Sequence, residues 1–155
     1  MKTNDNIRPL KDELPSSFAD RLGVHYSSQA SEMHKKRHGQ FFTPVDIARF
    51  MASLSDCRKT KVKILDPGFG TGVLSCSLTE ALLGANSSLS EIELVAYETD
   101  EKLISLAEES LSYLRRWLRH QGVKLDFVLL VSAFVLSNSD TLENQNRPNV
   151  YFDLV

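Results

Sequence analysis

The stretch Lys61-Val-Lys-Ile-Leu-Asp66 runs straight into Asp66-Pro-Gly-Phe-Gly-Thr-Gly72, and this junction limits the available folds more than any other feature. The first part reads as a β-strand and the second as a glycine-rich turn. Val73, Leu74, Leu78, Ala81 and Leu82 then fall on one face of a helix, with Gly84 as its stop. A strand, a glycine turn and a helix in immediate succession open a parallel α/β sheet. Such a turn suits a ligand whose polar or anionic parts come close to the backbone. Side chains there would clash, and a helix N-terminus favours negative charge.

The pattern repeats downstream. Glu93-Leu-Val-Ala-Tyr-Glu98 reads as a second strand, and Leu103, Ala107, Leu111, Leu114 and Leu118 step by 4, 4, 3 and 4 through a helix over 101–120. Gly122 follows its last turn, and Leu125 to about Phe134 reads as a third strand. Residues 137–149 are a loop by composition, and Val150-Tyr-Phe-Asp-Leu-Val155 starts a fourth strand. Upstream, Leu14, Phe18 and Leu22 sit four apart and predict a short amphipathic helix. Thr43-Pro44-Val45-Asp46 places a capping hydroxyl, a proline at the first helical position and a carboxylate three residues on. Ile47, Ala48, Met51 and Leu54 continue that helix from about 44 to 54. The expected fold is an α/β, Rossmann-like doubly wound sheet, mainly parallel, of about four strands with helices on both faces. It binds ligands outside the carboxyl ends of its strands, at the switch point near the first one. Residues 1–38 form a polar, partly helical extension, and residues 39–155 the ligand-binding domain.

Composition narrows the partners. At 155 residues the chain is one domain's worth of sequence, and 42% hydrophobic with 25% charged residues excludes a disordered class. A net charge of −2 excludes attachment to nucleic acid by bulk positive charge alone. The local run His34-Lys35-Lys36-Arg37-His38 is either a phosphate contact or a solvated face. No apolar run approaches the roughly 20 residues that span a bilayer, and the N-terminus lacks the core of a signal peptide. Cys57 and Cys76 have neither metal spacing nor a disulfide framework, and His34 and His38 have no acidic cluster beside them. No metal is expected, and a cytoplasmic setting is the default.

The spacing within the turn separates ligand classes. A phosphate-cradling P-loop needs Gly-Lys-Ser/Thr, but Gly72 is followed by Val73-Leu74. The dinucleotide fingerprint, counted from Gly68 and Gly70, puts its third glycine where Val73 stands. What the turn matches is Asp-Pro-x-x-Gly-Thr-Gly with an acidic residue ending the next strand. Here the chain resembles the S-adenosylmethionine-dependent N6-adenine DNA methyltransferases, particularly those of restriction-modification systems. Gly39-Gln40-Phe41-Phe42-Thr43-Pro44 resembles that family's N-terminal motif, which lines the methionine end of the cofactor. Asp66-Pro67-Gly68-Phe69-Gly70-Thr71-Gly72 resembles its glycine-rich motif, and Tyr97-Glu98-Thr99-Asp100 its ribose-binding motif. The likeness covers roughly residues 35–105.

The resemblance implies S-adenosylmethionine as cofactor and DNA as partner of the full-length protein. Glu98 would accept hydrogen bonds from the two ribose hydroxyls; the alternative is a capping or solvated carboxylate, but an apolar strand precedes it. Asp66 would bond its own turn or receive the ligand's ammonium, next to Pro67. Gly68, Gly70 and Gly72 would let the backbone approach closely. Phe69 departs from the small residue or cysteine more usual in the family. Thr43 is first a helix cap before Pro44, and by resemblance a contact for the cofactor carboxylate. Phe42 is a packing residue more than a stacking platform. Phe134 stands where the family has an Asp-Phe pair beside the adenine, but Ala133 replaces the aspartate, and Asp126-Phe127 is the alternative pair.

In the resembled family an Asn/Asp/Ser-Pro-Pro-Tyr/Phe motif directly follows a strand like Tyr151-Phe152-Asp153-Leu154-Val155 and holds the target amine. Its aromatic residue stacks on a flipped base. Here that motif is expected just after Val155, so no catalytic residue is assigned within the chain. The expected role is the cofactor-binding portion of a DNA adenine-N6 methyltransferase. The alternatives are a fragment of an RNA or protein N-methyltransferase, or a non-catalytic module binding cofactor or a partner. An unpaired fourth strand would also favour self-association. The 155-residue chain alone is expected to transfer no methyl group to DNA, and labelled methyl incorporation by it would contradict this.

Overall fold

The computed structural model describes residues 7–31, 33, 42–139 and 151–155. The basic run at 34–38, Phe41 and loop residues 140–149 therefore lie outside the described residues. Three strands, β1 (Lys61–Asp66), β2 (Glu91–Glu98) and β3 (Lys124–Val131), form a sheet in the order β1-β2-β3. Both pairings are parallel: Ile64 stands beside Leu94, and Leu94 beside Phe127. Helices α1 (Pro15–Gln29), α2 (Val45–Ser53), α3 (Val73–Ala85), α4 (Ile104–His120) and the one-turn α5 (Phe134–Ser137) accompany the sheet among the described residues.

Register sorts the strand side chains onto two faces. Val62, Ile64, Ile92, Leu94, Ala96 and Leu125 share one face and join a single core with Ala19 of α1, Ala48 of α2, Cys76 and Leu82 of α3, and the leucines of α4. Ala107, Leu111, Leu114 and Leu118 of α4 are wholly buried. The opposite face begins with ion pairs, Lys61 with Glu91 (2.6 Å) and Lys63 with Glu93 (2.8 Å). Exposed pairs of this kind contribute little stability, on the order of 0–1 kcal/mol, but they keep that face polar. The expected second helical layer is represented among the described residues only by α5, whose Phe134 meets Tyr97 edge-on with ring centroids 5.1 Å apart.

The fourth strand is shorter than expected. Residues 151–155 lie beside β1 with one parallel bridge, Ile64 to Leu154, and Leu65 N–H donates to Leu154 O (2.9 Å). The Asp153 side chain replaces a further rung, because its Oδ2 accepts Lys63 N–H (2.8 Å) while Oδ1 pairs with Lys59. The chain thus adds strands outward from β1 to β3 and then returns to the other side of β1. The sheet's switch point lies at the end of β1, where the glycine turn sits.

Several element ends differ from expectation for local reasons. Helix α1 runs well past the predicted Leu14–Leu22 span, since Tyr26 extends its buried stripe. Its first turn is capped by another helix: Glu80 of α3 accepts from Ser16 N–H (2.7 Å) and Ser16 Oγ (2.8 Å), a carboxylate at a positive helix end. Thr43 does not cap α2; Pro44 is the N-cap, and Asp20 Oδ1 from α1 accepts Val45 N–H (3.2 Å) instead. Helix α3 passes through Gly84 and stops at Asn86, whose side chain donates to Lys59 O (2.8 Å). Gly122 does end α4, at φ +77°, with Val123 N–H reaching back to Leu118 O (3.0 Å).

Two glycines should respond oppositely to alanine. A Cβ on Gly84 meets open space in a helix turn, so Gly84→Ala should stabilise the chain by about 0.5–1 kcal/mol. At Gly72, with φ +85°, a Cβ would lie 2.3 Å from Phe69 Cζ. Gly72→Ala should cost more than about 1–2 kcal/mol, the left-handed penalty alone. Urea unfolding of both variants checks the contrast.

Candidate functional site

The glycine turn between β1 and α3 is held down by Phe69. Its ring is buried in the core, its N–H donates to Tyr97 O (2.8 Å), and Gly72 N–H returns to Phe69 O (2.7 Å). The bulky residue at this position therefore anchors the turn to β2. Gly70 has φ +57° and lies against Phe42, where an added Cβ would sit 3.4 Å from the ring. Gly68 has nothing within 4 Å of its would-be Cβ, so its backbone is open to a ligand.

Beside the turn is a cleft of about 190 Å³, walled by Phe42 and Thr43, by Pro67, Gly68 and Gly70, and by Tyr97 and Glu98. Glu98 is its most connected group. Oε2 accepts Gly70 N–H (2.8 Å), and Oε1 accepts both Thr99 N–H (2.7 Å) and Asp100 N–H (2.8 Å). A carboxylate offers about four acceptor positions, so three backbone donors leave one on Oε2. The carboxylate expected to meet the ribose hydroxyls is thus already tied to the backbone at three positions.

Asp66 sits beneath the turn instead of within the cleft. Its Oδ2 accepts from Ser75 Oγ (2.6 Å) and its Oδ1 from Gly68 N–H (3.2 Å). Burial pushes its carboxyl above the ordinary range, the Ser75 hydroxyl and Gly68 N–H draw it back, and the charge of Glu98 pushes it up again. Gly72 shapes the turn without lining the cleft. Pro44 is exposed at the start of α2. Phe134 stands one ring away, against Tyr97. The alternative pair Asp126-Phe127 lies mid-strand, where Asp126 pairs with Lys124 (2.5 Å) and Arg115 stacks 5.2 Å over Phe127. It is not at the carboxyl end of β3.

A second groove, about 580 Å³ and mostly apolar, lies between α2, α3 and residues 154–155. The one acidic side chain among its described lining residues, Asp66, is already bonded to Ser75. The smaller cleft combines open glycine backbone, an aromatic wall and an unfilled acceptor, which makes it the stronger ligand site.

Sequence reasoning passed over three contributors. The Tyr26 hydroxyl donates to Asp100 Oδ2, and its ring meets Phe42 edge-on at 5.9 Å. Gly23 faces Phe42 and Thr71, and Asp20 caps α2. Tyr26 continuing the Leu14, Phe18, Leu22 spacing was the one available signal.

The family model described as N-6 DNA methylase matches residues 20–115, from α1 through the glycine turn and Glu98 into α4. The chain belongs to the N-6 DNA methylase family. Within it, the chain is similar to the type II methyltransferase M.AccI of Acinetobacter calcoaceticus, 39% identical over 84 residues, or 54% of this chain and 14% of that one. It is also similar to the type II methyltransferase M.BsuBI of Bacillus subtilis, 30% identical over 111 residues, or 70% of this chain and 22% of that one. This N-6 DNA methylase chain thus spans less than a quarter of the length of either relative. Among solved structures, a Listeria monocytogenes protein assigned to the class I S-adenosylmethionine-dependent methyltransferases superposes with a TM-score of 0.52. At 20% identity, covering 81% of this chain and 36% of that one, it shares the fold.

The raised Asp66 carboxyl gives a pH signature. A carboxyl raised by folding favours the folded state below its unfolded value, and that advantage is lost as pH rises through the folded value. Asp66→Asn removes the buried charge, so relative to the natural chain it should melt higher at roughly pH 7.5 and lose that gain by about pH 4. Melting curves across pH check this, and a pH-independent difference contradicts it.

Proposed function

We propose that this chain is the S-adenosylmethionine-binding portion of a DNA adenine-N6 methyltransferase, working in a restriction-modification system. The observation that carries the reading is Glu98, buried at the carboxyl end of β2, joined to the glycine turn and keeping one open acceptor on Oε2. The donor set fits the cofactor: an acceptor for a ribose hydroxyl, exposed backbone at Gly68, and the aromatic wall of Phe42. When bound, S-adenosylmethionine supplies a methyl group activated by a positively charged sulfur.

The chain's own residues bind and orient. Glu98 takes a ribose hydroxyl, Pro67, Gly68 and Gly70 lie along the ligand, and Phe42 and Thr43 close the side nearest α2. Asp66 and Gly72 hold the turn in shape, and Pro44 starts the helix that carries the Phe42-Thr43 wall. Phe134 braces Tyr97 and through it the adenine side. In this reading residues 39–155 are the cofactor-binding unit, and residues 1–38 are an extension whose helix serves it. The sequence contains no Pro-Pro pair, so the motif that holds the target amine is not supplied by these residues. DNA is the partner of the full-length protein, in the cytoplasm. No helix among the described residues is long and apolar enough to cross a membrane. The edges at β3 and at residues 151–155 are the strands through which chains would self-associate.

Calorimetry should show saturable binding of S-adenosylmethionine to the chain. Glu98→Gln should weaken it about tenfold or more, the range for a hydrogen bond to a charged group. A folded chain that binds no cofactor would contradict the reading.

A further inference from the structure

Helix α1 carries a row of residues, Ser16, Asp20, Gly23 and Tyr26, that each touch a different wall of the cleft or its supports. Ser16 meets Glu80 of α3, and Asp20 caps α2. An added Cβ on Gly23 would lie 3.2 Å from Thr71 Oγ1 and 3.3 Å from Phe42 Cδ1, so the helix lies flush against both. Tyr26 reaches furthest, to the loop after β2. Its hydroxyl donates to Asp100 Oδ2, and Asp100 is 3% exposed. The other carboxylate oxygen, Oδ1, accepts Lys102 N–H (3.0 Å), while the Asp100 N–H donates to Glu98 Oε1. A continuous hydrogen-bonded path thus joins α1 to the cleft: Tyr26, Asp100, Glu98, Gly70.

We propose that Tyr26 is a positioning residue for the cofactor. By holding Asp100 it fixes the Thr99 and Asp100 N–H groups, and these aim the Glu98 carboxylate at the ligand's ribose. The proposal rests on the cofactor reading above and adds to it a residue 74 positions from its partner. Tyr26→Phe keeps the ring against Phe42 and removes only the hydroxyl. Its effect should therefore appear where Glu98 acts, at the ribose hydroxyls, and not across the whole ligand.

The test is calorimetric binding of S-adenosylhomocysteine and of its 2′,3′-dideoxy analogue to the natural chain, Tyr26→Phe, Glu98→Gln and the double variant, with melting curves alongside. Tyr26→Phe should lose about threefold to tenfold affinity for the hydroxylated ligand, the range of one neutral hydrogen bond, and less than about twofold for the dideoxy ligand. In the Glu98→Gln background the same change should add almost nothing, because both residues act through one path. Equal losses for both ligands would assign Tyr26 a merely structural role and overturn the proposal, as would no loss for either. If the folded natural chain binds neither ligand, the cofactor reading falls and the proposal falls with it.

Discussion

One carboxylate ties the two halves of the site together. Glu98 ends β2, yet it accepts a hydrogen bond from Gly70 in the turn after β1, while its second oxygen gathers the first two N–H groups beyond its own strand. Charge-assisted bonds of this kind are roughly twice as strong as neutral ones, and here the Asp100 bond is buried and the other two partly so. Without them the glycine turn would keep only the Phe69 ring with its bond to Tyr97, the Asp66 bond to Gly68 N–H and the packing of Phe42 against Gly70. The Rossmann-like sheet provides the geometry, since the parallel register puts the ends of β1 and β2 side by side, with Asp66 paired to Ala96.

The helices outside the strand–turn–helix unit are supports of that arrangement. Glu80 caps α1, Asp20 caps α2, and Arg49 of α2 donates to Ser17 (2.7 Å) and Ser16 (3.0 Å) of α1. Three helices thereby satisfy one another's termini and polar side chains across the core. The leucines of α4 supply the apolar burial that makes such ordering worthwhile, each fully buried large side chain contributing on the order of 1.5–3 kcal/mol. The same supports deliver Phe42 to the edge of the cleft, wedged between Gly23, Tyr26 and Gly70.

What could be read from sequence was whatever depends on local chain geometry. Strand β1, the glycine-rich turn and the 4, 4, 3, 4 stepping of α4 follow from backbone sterics and helical period, and these emerged as expected. The acidic end of β2 was legible for the same reason. Features decided by distant side chains were not. Thr43 has the chemistry of a cap, but Asp20, brought near by tertiary packing, occupies that role. Gly84 looks like a helix stop, yet the Asn86 side chain bonded to Lys59 O sets the end. Asp66 and Glu98 appear equivalent as strand-ending carboxylates. Only the fold puts Ser75 beneath the first and three backbone donors around the second. Tyr26 and Asp100 stand far apart in the chain, and no periodicity joins them.

The central claim is that Glu98 organises the cleft through its backbone partners, and amide hydrogen exchange followed by nuclear magnetic resonance tests it most directly. In the natural chain the amides of Gly70, Thr99 and Asp100 should exchange slowly, and in Glu98→Ala all three should quicken together by about tenfold or more while the α4 amides keep their protection. Gly70 exchange unchanged by the substitution would contradict the account.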